Sequence, residues 1–300
     1  MRHGAPFALL LLCLSACKPA EEGRAKAIIG AVLIDGAGGP PVTDSVVIVS
    51  GGLIRAAGAR SNIPIPAEAD KINGAGRFLV PDLVDVCDRA EPAGTIRAET
   101  PEEARAQVAE LAGRKAGIIH IGQDAPAAVQ AALEGARDAA IRVAGHVSTQ
   151  AGARLLADRG AAFLVGMIRD TEDLDPALLT RLRDLRTVVA PALAQSGDRL
   201  PIASRNTRRM FQAGVRLGLA SMGADAVHEA ELMVAAGVPP LDGIVAISHN
   251  SAMALGQLDH RGTIEPGKRA DLLLVSANPG EDIANLRWVV LRMAAGDLVK

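Results

Sequence analysis

Three hundred residues with 49% hydrophobic and 22% charged content describe a globular chain with apolar material for a sizeable core. A formal net charge of -2, with Lys and Arg scattered among Asp and Glu, leaves no basic stripe to track a phosphate backbone, and no Tyr, one Trp and four Phe leave few stacking platforms. Nucleic acid is therefore not an expected partner, and the core must be aliphatic.

The chain opens with Arg2 and His3 ahead of an apolar run from Phe7 to Leu14, too short to span a bilayer. Leu14-Ser15-Ala16-Cys17 resembles a bacterial lipobox. That reading makes residues 1–16 a signal peptide, Cys17 the site of lipidation and 17–26 the lipidated cysteine with a short linker. Lys18, in place of Asp after the cysteine, points to the periplasmic face of the outer membrane. The alternative is an ordinary buried N-terminal helix, which Pro19, Glu21, Glu22 and Gly23 would break off at once. Cys13 leaves with the signal, Cys17 takes the lipid and Cys87 stands alone, so no disulfide forms within one mature chain. A lone thiol in an oxidising compartment is buried, paired with a partner or used.

Residues 27–78 read as short strands divided by turn residues, and 261–300 repeat that grammar in "RGTIEPGKRADLLLVS" and "LRWVVLRMAAGDLV". The two ends are expected to build one composite β-sandwich. The middle, 79–260, alternates apolar runs with helical patterns, as parallel βα units do. Six strands are expected there: "LVDV" (83–86), "GIIHIG" (117–122), "IRVAGHV" (141–147), "AAFLVGMI" (161–168), "TVVAPAL" (187–193) and "VRLGLASM" (215–222). Thr100, Pro101 and Glu103 mark a capping box, and Asp175-Pro176 a capping carboxylate ahead of "ALLTRLRDL". "SRNTRR" at 204–209 reads as a solvated basic turn, His228 and Glu231 as part of an exposed helix start, and His249-Asn250 as the end of the helix "LDGIVAIS".

Residues 231–283, and "GTIEPGKRADLLL" within them above all, resemble the amidohydrolase superfamily in its imidazolonepropionase-like and prolidase-like branch. The resemblance spans nearly the whole mature length. It implies an α/β fold, a TIM-like metal-dependent hydrolase barrel with a small composite β-sandwich, and metals at the C-terminal ends of the strands. The barrel should be truncated, because a full one takes about 250 residues. Only 30 residues separate Arg89 from His120, so the family's second and third strands are expected to be missing.

Of six ligand positions that the resemblance implies, one is kept. The His-x-His pair ending the first strand falls on Cys87 and Arg89, with Asp88 between, and the bridging lysine falls on His120. The fifth-strand histidine matches His146, whereas the sixth-strand histidine falls on Gly166. The eighth-strand aspartate falls on Met222, with Asp225 as a shifted substitute. Such enzymes hold water on a divalent metal and lower its pKa from about 15.7 toward roughly 7. Methionine cannot take a proton, and glycine cannot ligate through a side chain. An arginine about 5 Å from a dication costs on the order of 6 kcal/mol at an effective dielectric near 20, unless its side chain turns away.

The expectation is an envelope pseudoenzyme with a binding or structural role and no cofactor. The alternative is a divergent hydrolase of carbon–nitrogen bonds at a rebuilt mononuclear zinc site of Cys87, His120 and His146, with Cys87, His146 and Asp225 as catalytic candidates. The same residues allow a Cys87 nucleophile activated by His146 or His120 and oriented by Asp88 or Asp124, against a Cys87 that merely fills a histidine's former space. Expected partners are the membrane, through the lipid anchor, and a second copy or an active homologue.

Overall fold

The computed structural model describes residues 24–90, 92–122 and 125–299; the lipobox, Cys17 and Asp124 lie outside the described residues. Five strands come first: β1 (Lys26–Leu33), β2 (Val42–Ser50), β3 (Leu53–Ala59), β4 (Asp70–Asn73) and β5 (Phe78–Pro81). The middle continues with β6 (Thr95–Ile96), α1 (Pro101–Gly113), β7 (Ile118–Ile121), α2 (Pro126–Asp138), β8 (Arg142–His146), α3 (Gln150–Asp158) and β9 (Phe163–Val165). Next come α4 (Pro176–Asp184), β10 (Val188–Ala190), α5 (Leu200–Gln212), β11 (Arg216–Leu217), α6 (Ala226–Ala235), α7 (Pro240–Val245) and α8 (Ser251–Ala254). The last strands are β12 (Leu272–Val275), β13 (Val289–Ala294) and β14 (Asp297–Val299).

β6 to β11 form one parallel sheet in chain order. Both of its faces are buried, as βα connections require. Ala144, Phe163, Val165, Val188 and Ala190 gather with Val86, Cys87 and Ala220 in one apolar cluster. Their chain neighbours Val143, Leu164 and Val189 join the larger cluster that also holds the helix residues. Six strands are present, but not the six expected. Residues 83–86 are not a strand of this sheet: Val86 N–H donates to Leu219 O at 2.9 Å and Met222 N–H to Cys87 O at 2.8 Å, so the segment runs beside the chain leaving β11. The Asp85 carboxylate displaces the ladder there, accepting from Cys87 N–H at 2.9 Å and Ser221 N–H at 3.2 Å. The sixth strand is β6, whose two residues are too few to show a period.

β1 to β5 and β12 to β14 share one eight-stranded sheet, in the order β14-β13-β12-β5-β1-β2-β3 with β4 beside β1, so both ends of the chain build it. β5 is the seam, parallel to β1 at Val32↔Phe78 and antiparallel to β12 at Leu274↔Leu79. β1 and β2 bury both faces: Ile28, Val47 and Val49 lie in one apolar cluster, Ala27, Val46 and Ile48 in another.

The helix starts fold as their residues dictate. Thr100 Oγ1 accepts from Glu103 N–H at 3.2 Å, the Glu103 carboxylate reaches back to Glu99 N–H at 2.9 Å, and Asp175 Oδ1 accepts from Ala177 N–H at 2.8 Å. Two expectations are corrected. Residues 204–209 are helical, within α5, because Ala203, Thr207 and Met210 make one buried stripe. Buried Asn206 donates to Ile168 O at 2.9 Å and Thr171 O at 2.8 Å, pinning the loop after β9. His249 and Asn250 end no helix either. They lie in a π turn, Ala246–Asn250, that leads on into α8, where Ser251 Oγ donates to Ala246 O at 2.8 Å and Asn250 Nδ2 to Leu217 O at 2.9 Å. Among the described residues, no helix is long and apolar enough to cross a membrane.

Candidate metal centre

Parallel register brings the first two site residues together. His120 pairs with Ala144, and His146 stands two residues farther along β8, so both imidazoles leave the sheet on the same face. His120 Nδ1 lies 2.9 Å from His146 Nε2, with ring centroids 5.2 Å apart and planes tilted by 49°. At that separation one nitrogen carries the hydrogen and the other accepts it. Cys87 arrives from the segment beside β11, fixed by the Met222 N–H bond to its carbonyl and by Asp85 on its own N–H. The ligand atoms of Cys87, His120 and His146 all lie within 4.8 Å of one another.

Burial sets the protonation of this cluster. Removal from water pushes His120 down to about 4, helped by the neighbouring His146, and pulls His146 down as well. Both imidazoles are neutral at pH 7 and have a lone pair to give. Burial pushes the Cys87 thiol up to about 11, and the thiol donates to Arg89 O at 3.3 Å, so the free side chain is a thiol and not an activated thiolate nucleophile. Asp85 is also raised by burial, with the Ser221 and Cys87 donors opposing.

His146 faces a cavity of about 270 Å³ lined also by Gly122, Ser148, Gly166, Arg169 and Met222. The Arg169 guanidinium donates to Gln195 O at 3.2 Å. No carboxylate lines this cavity among the described residues. Gly122 and His146 border a second hollow, of about 200 Å³, against Pro92 and Thr95, so His146 is approached from two sides.

The remaining candidates are elsewhere. Asp225 is no substitute for the eighth-strand aspartate: it caps α6, accepting from Val227 N–H at 2.8 Å and His228 N–H at 3.3 Å, and it binds Arg287. Its backbone is still extended, at φ −69° and ψ 122°, one residue before the helix, and its carboxylate is used up as the cap. Arg89 turns outward, with 74% of its side chain exposed and Asp88 as its partner at 3.7 Å, which removes its charge from the cluster and Asp88 from any base-orienting role. Gly166 has φ +93°, and a Cβ there would stand 2.5 Å from Val147 O, so no side chain fits without moving the backbone. His228 is exposed at the first turn of α6, 3.2 Å from Glu231.

Two carboxylates escaped the sequence reading. One is Asp85. The other is Glu229, fully buried, which accepts from Leu193 N–H at 2.5 Å and Ala194 N–H at 2.9 Å. Its only signal was its place in the stripe Ala226, Glu229, Ala230, Met233, where a carboxylate takes an apolar position.

The multi-ligand centre implied by the resemblance does not fit these residues, because Gly166 offers no ligand atom, Met222 offers a thioether in place of a carboxylate and Arg89 is turned away. One soft or borderline ion does fit Cys87, His120 and His146. Residues 86–299 match the Amidohydrolase family. No curated protein matches the chain. In fold the chain is similar to molinate hydrolase (17% identity, 93% of this chain and 95% of that one covered, TM-score 0.79). It is similar likewise to a Xaa-Pro dipeptidase with bound methionine in the active site (17%, 92% and 100%, TM-score 0.80) and to A. niger ochratoxinase (16%, 93% and 96%, TM-score 0.81). The family match covers most of the chain and the fold of those structures covers nearly all of it: this protein belongs to the amidohydrolase family.

Proposed function

We propose that this is a lipid-anchored envelope protein of the amidohydrolase family that has given up the family's hydrolysis and binds one zinc ion through Cys87, His120 and His146. The observation that carries the reading is the convergence of those three ligand atoms within 4.8 Å, two of them on residues the family's pattern does not supply. Ligand atoms on one tetrahedral zinc ion stand about 3.3 to 3.7 Å apart, given bonds of about 2.05 Å to nitrogen and about 2.3 Å to sulfur. The 2.9 Å between the imidazoles thus needs only a few tenths of an ångström of opening. When bound, the ion supplies a Lewis-acid position beside the cavity.

The chain's own residues argue against turnover. With Gly166 and Met222 in the cavity wall and no carboxylate there among the described residues, the described wall offers no proton acceptor for an attacking water apart from His146, which the zinc would take as a ligand. The lipobox supports the envelope setting. β6 is an edge strand paired on one side only, which supports a second copy or an active homologue as a further partner. A second reading, hydrolysis of carbon–nitrogen bonds at the same ion, is favoured by the cavity of about 270 Å³ that opens on His146.

Metal content and turnover separate the two. The whole chain, purified without chelators, is expected to hold about one zinc, to lose it in His146→Ala, and to leave a panel of dipeptides and aryl amides intact. Turnover that disappears together with the zinc would establish the second reading. A folded chain without metal would retire both.

A further inference from the structure

Five of the seven large apolar side chains exposed among the described residues lie between positions 288 and 299: Trp288 (64% exposed), Val289 (44%), Val290 (46%), Leu298 (51%) and Val299 (47%). They belong to β13 and β14 or directly precede them, and β14 is the outermost strand of the eight-stranded sheet. Arg292 pairs with Val299 and Met293 with Leu298, so Val299 shares one face of the hairpin with Arg292 and Leu298 the other with the fully buried Met293. Solvated edge strands ordinarily carry charge. This stretch carries only Arg292 and Asp297.

The start of the fold is fastened to the same hairpin. Lys26, the first residue of β1, donates through Nζ to Gly296 O at 2.9 Å and stands 3.7 Å from Asp297, in the turn between β13 and β14. The two described residues upstream of Lys26 run beside β4, where Ala25 O accepts from Asp70 N–H at 2.8 Å and Arg24 pairs with Asp70 at 3.4 Å, within two residues of that turn contact. If Cys17 carries the lipid, nine residues join it to Lys26, a span of at most about 30 Å. Val290 lies four residues from Ala294 along β13, roughly 13 Å from the turn. The anchor and the apolar hairpin thus share one end of the molecule.

We propose that the hairpin meets the lipid surface by its outer edge, β14, with Leu298 and Val299, one on each face of that strand, against the outermost acyl segments and Trp288 and Val290 at headgroup depth. The inference rests on the lipid-anchor reading above. An interfacial position suits an edge strand, because headgroup water still serves the unpaired backbone groups of β14, which the hydrocarbon core would not. Indole, apolar in its body and polar at its N–H, favours that depth.

Trp288 is the only tryptophan and the chain has no tyrosine, so its fluorescence reports this hairpin alone. The lipidated whole chain is reconstituted in phosphatidylethanolamine–phosphatidylglycerol vesicles, floated on a density gradient, and probed with aqueous iodide and with lipids brominated near the headgroup end of the acyl chain. Docking predicts a blue-shifted Trp288 emission, quenched at least twofold by the brominated lipid and shielded from iodide. The double variant Val290→Ser, Leu298→Ser should float equally well yet recover iodide access. A chain that floats with Trp288 open to iodide overturns the docking and leaves the anchor standing; a chain that does not float removes both. Shielding from iodide that grows with protein density and ignores brominated lipid identifies a second copy as the occupant and also overturns the proposal.

Discussion

At position 166 the backbone itself excludes a ligand. With φ at +93° and a Cβ position 2.5 Å from Val147 O, Gly166 cannot be turned back into the family's sixth-strand histidine by a single substitution. Gly166→His is expected to cost about 1–3 kcal/mol of stability, read as a lower urea midpoint, and to add no second metal; a variant of unchanged midpoint that binds two ions would refute this. Cys87, His120 and His146 were singled out through the resemblance, which set all three at ligand positions of one site, and the structure brings their ligand atoms within 4.8 Å of one another. Asp85 and Glu229 were not legible. Each serves backbone N–H groups distant in the chain, Ser221 for Asp85 and Leu193 and Ala194 for Glu229, and such a partnership leaves no local spacing. Asp225 misled for the opposite reason, since a carboxylate just before a helix is first of all a cap.

Helix starts were the most legible elements, and they offer a simple check. Thr100→Ala removes the acceptor for Glu103 N–H and should lower stability by about 1 kcal/mol, with Thr100→Ser close to wild type; equal loss in both variants would show that the hydroxyl bond is not the cause. α5 was misread because the six polar residues of "SRNTRR" masked a buried stripe, in which Asn206 Nδ2 donates to Ile168 O and Thr171 O and Thr207 Oγ1 to Ala203 O, while Asn206 Oδ1 is buried without a partner among the described residues. α6 gives the pH dependence. Burial raises the Glu229 carboxyl above its ordinary value of 4.5, with the Ala194 and Leu193 N–H groups opposing. The folded state then holds its proton to higher pH than the unfolded state does, so this group's contribution is complete below about 4.5 and is lost as pH rises through the raised folded value. Glu229→Gln cannot ionise. Its stability relative to wild type should therefore improve as pH rises from 4 to 7, whatever the offset at pH 4; a difference that stays flat in urea titrations across that range would place the carboxyl at its ordinary value.

Across the whole molecule, hydrophobic period and turn residues foretold a parallel α/β middle and a composite β-sandwich built from both chain ends; the structure has the parallel middle, and both chain ends contribute to one eight-stranded sheet. What stayed hidden was how the sheet is bounded. A two-residue strand, β6, carries no period, and residues 83–86 look like a strand while the Asp85 carboxylate takes the N–H groups of Cys87 and Ser221 that a ladder would use. The same boundary makes the centre: it sets Cys87 across from two neighbouring strand ends, inside an apolar cluster that keeps both imidazoles neutral. Cobalt substitution tests this arrangement most directly, because a Co²⁺ spectrum reports both coordination number and sulfur ligation. The cobalt-loaded chain is expected to show intense tetrahedral bands and a near-ultraviolet thiolate charge-transfer band, with the latter abolished in Cys87→Ser and both lost in His120→Ala. A weak octahedral spectrum that Cys87→Ser leaves unchanged would contradict the Cys87, His120 and His146 centre.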